Sequence, residues 1–462
     1  MKPQDPRNTE ELERMLHAGM GRAILFLMSQ DLSQYRDLIL DSCLHNHAYD
    51  QQCEETRAEY LYPLIKMSGE EEFYRHEILH ALIETTDMWD AEQLLDFAVI
   101  FARTGDAESR EAIYEKLRRN DMDEPLYADE ALLDLDGTRG LIFLLDLIGR
   151  DPKLMCRDDK RPLAPEDCVT LNSDEILIEK AEKKLGVEEV RVALQKAVSE
   201  YPNVAVVIDH MANYSPYWTA EEIVGRREEM RQDFVWRDAE SIAIMTWEEV
   251  KRSPRSRGIA YRWVGGASED EFRKAAADLA PAEETERLKK HLFLFHKRPF
   301  PLDPDPLIRL VDHPDEWVVV RALTALELVR HADVRALFHR LVGDAKWSER
   351  AIGLLRSNYQ QGDCELIVEL LEKETDPDRL DSMCGGAMHV YRDNPVSEGM
   401  RPLLLVYEKT PCSMCRLTCI EIIEMIGELP EWMVEECLHD AYSSTRELAL
   451  EIRQGTHRSP GD

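Results

Sequence analysis

The sequence has no long apolar run, since no stretch of about 18 uninterrupted apolar residues occurs in the chain. It therefore predicts no membrane-spanning helix. The N-terminal segment MKPQDPRNTEELERM is charged and has no apolar core, so we do not expect a secretory signal peptide. The ten cysteines also lack the spacing of a disulfide-bonded secreted domain. Together these absences favour a cytoplasmic protein with reduced thiols.

Basic residues are few, because 57 Lys and Arg stand against 91 Asp and Glu, which gives a formal net charge of -34. Such a surface repels phosphate backbones and anionic membranes, so nucleic acid is not an expected partner. Glycine and proline, at 21 and 22, are too few for a collagen-like or low-complexity chain. Apolar residues make up 44% of the 462, which predicts two or three packed domains or one extended array.

A repeated pattern occupies the last third of the chain. In each copy an Asp or Thr stands six residues before an Arg, and an apolar residue follows that Arg by four. The first residue can cap a helix, while the Arg and the apolar residue share one helix face. Units of roughly 30 residues with this pattern predict an all-α fold of helical hairpins stacked into an α-solenoid. The copies are Asp315–Arg321–Ala325, Asp344–Arg350–Leu354, Thr410–Arg416–Ile420 and Asp440–Arg446–Leu450, and a further copy at Arg379 and Met383 has Lys373 in the cap position.

Two of these copies carry a family resemblance. The segments DEWVVVRALTALELV (315–329) and DAYSSTRELALEI (440–452) resemble the second helix of a short HEAT-like repeat of the bacterial type, an armadillo-like helical repeat. The resemblance implies an Asp–Arg ladder between successive hairpins, with a structural role. It also implies an extended surface that holds a partner protein. The ladder residues would be Asp315, Asp344, Asp440, Arg321, Arg350, Arg416 and Arg446.

The N-terminal region follows the same pattern less regularly. Arg75 is followed by Leu79 and Arg110 by Tyr114, each four residues on. We therefore predict degenerate HEAT-like repeats over residues 1–150.

The remaining boundaries follow from composition. Residues 151–172 are polar and contain prolines, which predicts a loop or linker. Residues 173–298 form a central, mostly helical region in this interpretation, and the proline-rich segment 299–306 leads into the C-terminal repeats of 299–462. The run VAVVI at 204–208 fits a β-strand or a buried helix segment, so a small mixed insertion stays open.

The segment His76-Glu77-Ile78-Leu79-His80 has the strongest catalytic pattern. On a helix its two histidines share a face, and it resembles the zincin motif, which implies His76 and His80 as zinc ligands and Glu77 as general base. A third ligand would have to come from Glu108 or Glu111 on another helix. This pattern makes a zinc-dependent hydrolase, a peptidase, the alternative function. The same segment also fits a repeat helix with two surface histidines.

Two cysteine-containing clusters have alternative interpretations. Zinc ligands are present in the first cluster, but its spacing matches no known finger, so a polar turn between helices fits equally. The second has the C-x-x-C spacing of redox or zinc sites, yet it lies on a repeat helix where buried cysteines are common. The clusters are Cys43, His45, His47 and Cys53, and Cys412, Cys415 and Cys419.

A local reversal of charge occurs between residues 251 and 298. Its cations predict either a regulatory module that binds an acidic or phosphorylated partner, or pairing with the chain's own acids. They are Lys251, Arg252, Arg255, Arg257, Arg262, Lys289, Lys290, Lys297 and Arg298, of which Arg255, Arg257, Lys289 and Lys290 are the candidate binding residues.

The phosphate-binding loop, the dinucleotide fingerprint and the G-x-S-x-G elbow are all absent from the sequence. The favoured interpretation is a non-enzymatic scaffold or adaptor without a cofactor, which binds a protein with a basic face. The zinc hydrolase and the regulatory module remain alternatives.

Overall fold

Helices and their connections make up the described part of the chain, which contains no β-strand. The prediction of an all-α fold is confirmed. This computed structural model describes residues 5–119, 128–150, 173–214, 245–252, 263–279, 284–427 and 429–456. It divides into two compact units, one containing the described residues up to 214 and the other those from 245 onward.

The first unit begins with a short helix capped by Asn8, whose side chain accepts a hydrogen bond from the backbone N–H of Glu11. Asp87 caps α6 in the same way. The helices are α1 (Thr9–His17), α2 (Gly21–Leu27), α3 (Arg36–Leu44), α4 (Ala58–Ser68), α5 (Glu71–Glu84), α6 (Met88–Arg103), α7 (Ala107–Arg119), α8 (Asp129–Asp136), α9 (Thr138–Arg150), α10 (Ser173–Leu185), α11 (Val187–Glu200) and α12 (Pro202–Tyr214).

Helices α3 to α8 pack in a regular order, because each helix from α4 to α6 contacts both the next helix and the next but one. Short connections join α4 to α5, α5 to α6 and α6 to α7, as in helical hairpins. Tyr74, Leu79, Phe97, Phe101 and Tyr114 are buried between these helices. Each such side chain contributes about 1.5–3 kcal/mol through its burial.

Helices α8 to α12 share a separate apolar core. The run VAVVI lies inside α12, so its helical interpretation is correct and the strand is wrong. Val204, Val207 and Ile208 are buried at helical spacing. Gly149 permits the close contact of α9 with α12, since a Cβ there would overlap the main-chain oxygen of Asn203.

The second unit contains shorter helices joined by 3-10 turns. Two of these turns, Phe293–His296 and Ile352–Leu355, follow directly on a helix. The helices are α13 (Trp247–Arg252), α14 (Glu269–Ala277), α15 (Thr285–Leu292), α16 (Asp305–Leu310), α17 (Glu316–Glu327), α18 (Ala332–Leu341), α19 (Ser348–Ala351), α20 (Asp363–Lys373), α21 (Pro377–Asp393), α22 (Met400–Lys409), α23 (Ser413–Ile426), α24 (Glu431–Cys437) and α25 (Ser443–Gln454).

Four helical segments of this unit pack in chain order. Helix α17 contacts the turn 352–355, that turn contacts α21, and α21 contacts α23. In the same unit α20 contacts α22, and α22 contacts α23. The apolar face of α17 shows why these contacts form, because Val318, Val319, Ala322 and Leu326 are all buried at helical spacing.

The caps of these helices correct part of the predicted pattern. Asp315 does cap α17, accepting from the N–H of Val318. The cap of α21 is Asp376, and Lys373 ends the preceding helix, so Arg379 stands three residues after its cap and not six. Cys412 caps α23, and Thr410 lies before it.

The last copy of the pattern is offset by one residue. Leu450 was expected on the buried face but is 46% exposed. The buried residues of α25 are Thr445 and Ala449, which stand four residues apart on one helix face. The pattern assigned this buried face to Arg446 and Leu450.

The predicted central region 173–298 is divided between the two units. Residues 173–214 belong to the first unit and the described part of 245–298 to the second. The predicted linker 151–172 lies outside the described residues. No helix in the described ranges is long and apolar enough to cross a membrane.

Candidate functional site

An arginine and an aspartate from successive hairpins meet in the second unit. Arg416 on α23 donates from Nε to Oδ2 of Asp440 at 2.7 Å, and from Nη2 to Oδ1 at 3.4 Å. Both side chains are at most 1% exposed. Arg446 donates to the main-chain oxygens of Asp440 and Ala441 at 2.9 and 2.8 Å. The predicted contact between successive copies is therefore present here.

The other predicted ladder residues have different contacts. The Arg321 guanidinium lies 3.2 Å from His296 Nδ1 and 4.5 Å from the ring centre of Trp317. Asp315 pairs with Lys289 at 3.0 Å. Arg350 lies 3.8 Å from the carboxylate of its neighbour Glu349.

Asp344 is a further exception to the ladder. Its carboxylate accepts a hydrogen bond from the N–H of Lys346 at 2.8 Å, and the residue is exposed. It therefore closes a local turn before α19.

The first unit has equivalent contacts whose acidic partners sequence analysis did not name. Arg75 contacts Asp106 at 3.2 Å, and Asp106 also caps α7 by accepting from the N–H of Ser109 at 2.7 Å. Arg110 contacts Asp136 at 2.6 Å. The sequence feature that points to the Arg75–Asp106 pair is the helix cap at Asp106, which stands four residues before Arg110.

The HExxH segment lies on α5 with both histidines exposed. His76 Nδ1 is 3.3 Å from the carboxylate of Glu77 on the same helix. The two acids predicted as third ligands have other partners, since Arg75 contacts Glu108 at 2.7 Å and Arg118 contacts Glu111 at 2.8 Å. Among the described residues, the structure does not group this motif with a third metal ligand.

A different group of metal-binding side chains forms beside the first predicted cluster. The ligating atoms of His17, Asp41 and His47 all lie within 4.8 Å of one another. Of the residues predicted from sequence, His47 belongs to this group. Cys53 is exposed, and Cys43 is fully buried in the core. Burial raises the pKa of the Cys43 thiol, which disfavours the thiolate that zinc requires.

The C-x-x-C segment begins α23 and belongs to the helical core. Cys412 caps the helix, with its sulfur 3.4 Å from the N–H of Cys415. Cys419 is fully buried and donates to the main-chain oxygen of Leu403. A hydrogen bond to Cys412 and burial raise the pKa of Cys415, and burial raises those of Cys419 and Cys437. Protonated, buried thiols fit a packing role.

Several cations of the basic stretch, residues 251–298, contact acids of the same unit. Lys251 contacts Asp278 at 2.6 Å, and Lys289 contacts both Glu286 and Asp315. Arg298 contacts Glu269 at 2.8 Å. Arg255, Arg257 and Arg262 lie outside the described residues, as does the side chain of Lys290.

A shallow groove of about 430 Å³ runs along α20 beside Arg401 of α22. Its rim carries Glu365, Glu369 and Glu372, which are exposed and spaced to share one helix face. Leu366 is partly exposed and supplies apolar surface between them, whereas Val368 is almost fully buried. The groove therefore combines three carboxylates and one arginine with a small apolar surface.

No model of a known protein family matches the chain, and no curated protein matches it. One solved structure, described as the crystal structure of an engineered protein, aligns over 90% of this chain and 98% of its own. Its sequence identity is 12% and the TM-score is 0.24, which is too low to support any argument.

Proposed function

We propose that this protein is a non-enzymatic cytoplasmic scaffold of HEAT-like hairpins in an α-solenoid, and that it binds a partner with a basic face. The packing of alternate helices in chain order supports the solenoid. The contacts of Arg75 with Asp106 and of Arg416 with Asp440 support the Asp–Arg ladder.

The acidic groove on α20 carries the functional part of the proposal. Its carboxylates have modest intramolecular contacts, because Arg401 reaches Glu365 at 2.6 Å and Lys373 reaches Glu369 at 2.5 Å. These pairs are exposed, and such pairs contribute about 0–1 kcal/mol. A basic partner can therefore replace them at little cost while its apolar atoms cover Leu366. The net charge of -34 would speed its approach.

The proposal is tested with a fluorescent peptide rich in lysine and arginine, whose binding to the full chain is followed by anisotropy. The variant Glu365→Lys/Glu369→Lys/Glu372→Lys reverses the groove. We expect binding to weaken about tenfold or more, equivalent to at least ~1.4 kcal/mol.

The matched control places the same charge change on exposed positions of the first unit, as Glu10→Lys/Glu13→Lys/Glu189→Lys. Binding in this control should stay near that of the unchanged chain. Equal weakening in both variants would show attraction to net charge alone and would reject the groove as the binding surface.

A further inference from the structure

Three side chains from different elements converge near the start of the first unit. His17 is the last residue of α1, Asp41 lies on α3, and His47 lies in the connection after α3. His47 Nε2 is 3.0 Å from Asp41 Oδ2, and the rings of His17 and His47 stack with centroids 3.7 Å apart. Two imidazoles and a carboxylate thus share one small volume.

The ring of His17 contains an unsatisfied polar atom. Its Nε2 atom is enclosed and has no hydrogen-bond partner among the described residues. An enclosed polar nitrogen without a partner is unfavourable, and coordination would satisfy it.

His45 adds a fourth donor at the edge of this group. Its Nδ1 lies 2.9 Å from Oδ2 of Asp90, whose other oxygen accepts from the N–H of Asn46 at 2.8 Å. This carboxylate fixes the imidazole, as in many metal sites where the remaining nitrogen is the ligand. That remaining Nε2 lies 4.0 Å from Asp41.

The positive charge of Arg57, which lies near this group, would repel a metal ion, but Glu54 neutralises it. Arg57 donates from Nε to the main-chain oxygen of His17 at 3.4 Å. Its guanidinium is buried against the carboxylate of Glu54 at 3.1 Å. The pair has no formal net charge, so Arg57 weakens the site less than a lone arginine would.

We propose that His17, Asp41 and His47 bind a Zn²⁺ ion, with His45 as the additional ligand. Neutral imidazoles with one carboxylate suit zinc, which takes four ligands in tetrahedral geometry. The stacked rings have nearly parallel planes, at 16°, so one ring must rotate for both nitrogens to face one ion. The bound ion would tie the end of α1 to α3, a role independent of the proposed scaffold function.

The experiment titrates Zn²⁺ into the metal-free full chain by calorimetry and follows thermal unfolding with and without zinc. We expect one ion per chain and a zinc-dependent rise in Tm. His47→Gln removes one imidazole ligand. Asp41→Asn removes the carboxylate ligand, and because Asp41 is exposed we do not expect this variant to misfold. Each should weaken binding about 10–100-fold and abolish the Tm rise.

The control variant His76→Gln/His80→Gln removes the exposed pair of α5. It should bind zinc as the unchanged chain does. Unchanged binding in both His47→Gln and Asp41→Asn would overturn the proposal. Loss of binding in the control would instead locate the ion at the HExxH motif.

A Co²⁺-substituted sample provides an independent readout. Its spectrum should lack a thiolate charge-transfer band, because the proposed ligands are nitrogen and oxygen. Such a band would show that a cysteine, such as the exposed Cys53, holds the ion and would also overturn the assignment.

Discussion

Two arginine–aspartate contacts, each made by a helix arginine and an aspartate that follows it in the chain, differ in their environment. In the second unit Arg416 and Asp440 are at most 1% exposed. In the first unit Arg75 is 13% exposed and Asp106 is 29% exposed, and the same arginine also contacts Glu72 and Glu108. The Arg416–Asp440 contact is a buried pair. Arg75, in contrast, divides its contacts among three carboxylates, those of Glu72, Asp106 and Glu108.

From this difference in burial we expect the two contacts to differ in their contribution to stability. A buried charge that loses its partner stays unsolvated, whereas a surface arginine can turn to another carboxylate or to water. Where an arginine and an aspartate of successive hairpins do meet, we expect burial of the pair to determine how much the stability of the fold depends on it.

The largest effect is expected from breaking the buried contact. Asp440→Ala leaves the Arg416 guanidinium in the core without its carboxylate partner, so we expect the free energy of unfolding to fall by about 3–5 kcal/mol. Denaturant unfolding at neutral pH measures this change.

The control for this substitution is Asp344→Ala, which changes the same pattern position where it is exposed. It should lower the free energy of unfolding by less than about 1 kcal/mol. Similar losses in the two variants would mean that burial does not govern the comparison.

A partly buried carboxyl, Glu327, extends the comparison. Glu327, at the end of α17, packs against Gly353, where a Cβ would lie 2.6 Å from its Oε1 atom. Burial raises the pKa of Glu327 to about 7, against a smaller lowering by Arg356 and Arg350. Because the folded-state pKa lies above the unfolded value, this group's contribution to stability is lost as the pH rises through about 7.

Glu327→Gln should therefore stabilise the fold by about 2–3 kcal/mol near pH 8. The gain should disappear below about pH 4.5, where the carboxyl is protonated in both states. Denaturant unfolding across this pH range tests the expectation. A gain that is constant with pH would contradict a titrating Glu327.

The smallest effect is expected at the partly exposed contact of Arg75 with Asp106. Arg75→Ala removes a cation shared by three carboxylates, and we expect a loss of about 1 kcal/mol that shrinks at high salt. Thermal unfolding at low and high ionic strength measures it. A loss as large as that of Asp440→Ala, or one that salt does not change, would remove the distinction between the two units.

Much of the local structure could be predicted from sequence, since it depends on short-range chemistry. Asp315 caps its helix as expected, and Leu79 and Tyr114 lie on buried faces. The cap at Asp376 was missed because several acids precede that helix and helical spacing alone does not select one. The helix at 204–208 was ambiguous because a short apolar run fits both a strand and a buried helix.

The candidate sites depended on tertiary contacts that no local pattern encodes. The cluster around His47 needed a histidine at the end of another helix, so its spacing in the chain gives no signal. Conversely, the HExxH at His76 has the right spacing but lies on an exposed helix face. The acidic groove needed the position of α22 beside α20, which the sequence of neither helix specifies.

The buried cysteines of the second unit allow its local unfolding to be detected by a chemical reaction. Cys384, Cys419 and Cys437 have almost no solvent exposure, and burial raises the pKa of Cys384 to about 12. An alkylating reagent needs both access and a thiolate, so these sulfurs react only when the surrounding helices separate. The rate at which these three thiols are alkylated in the native protein therefore reports the rate or extent of local unfolding, and no added label is needed.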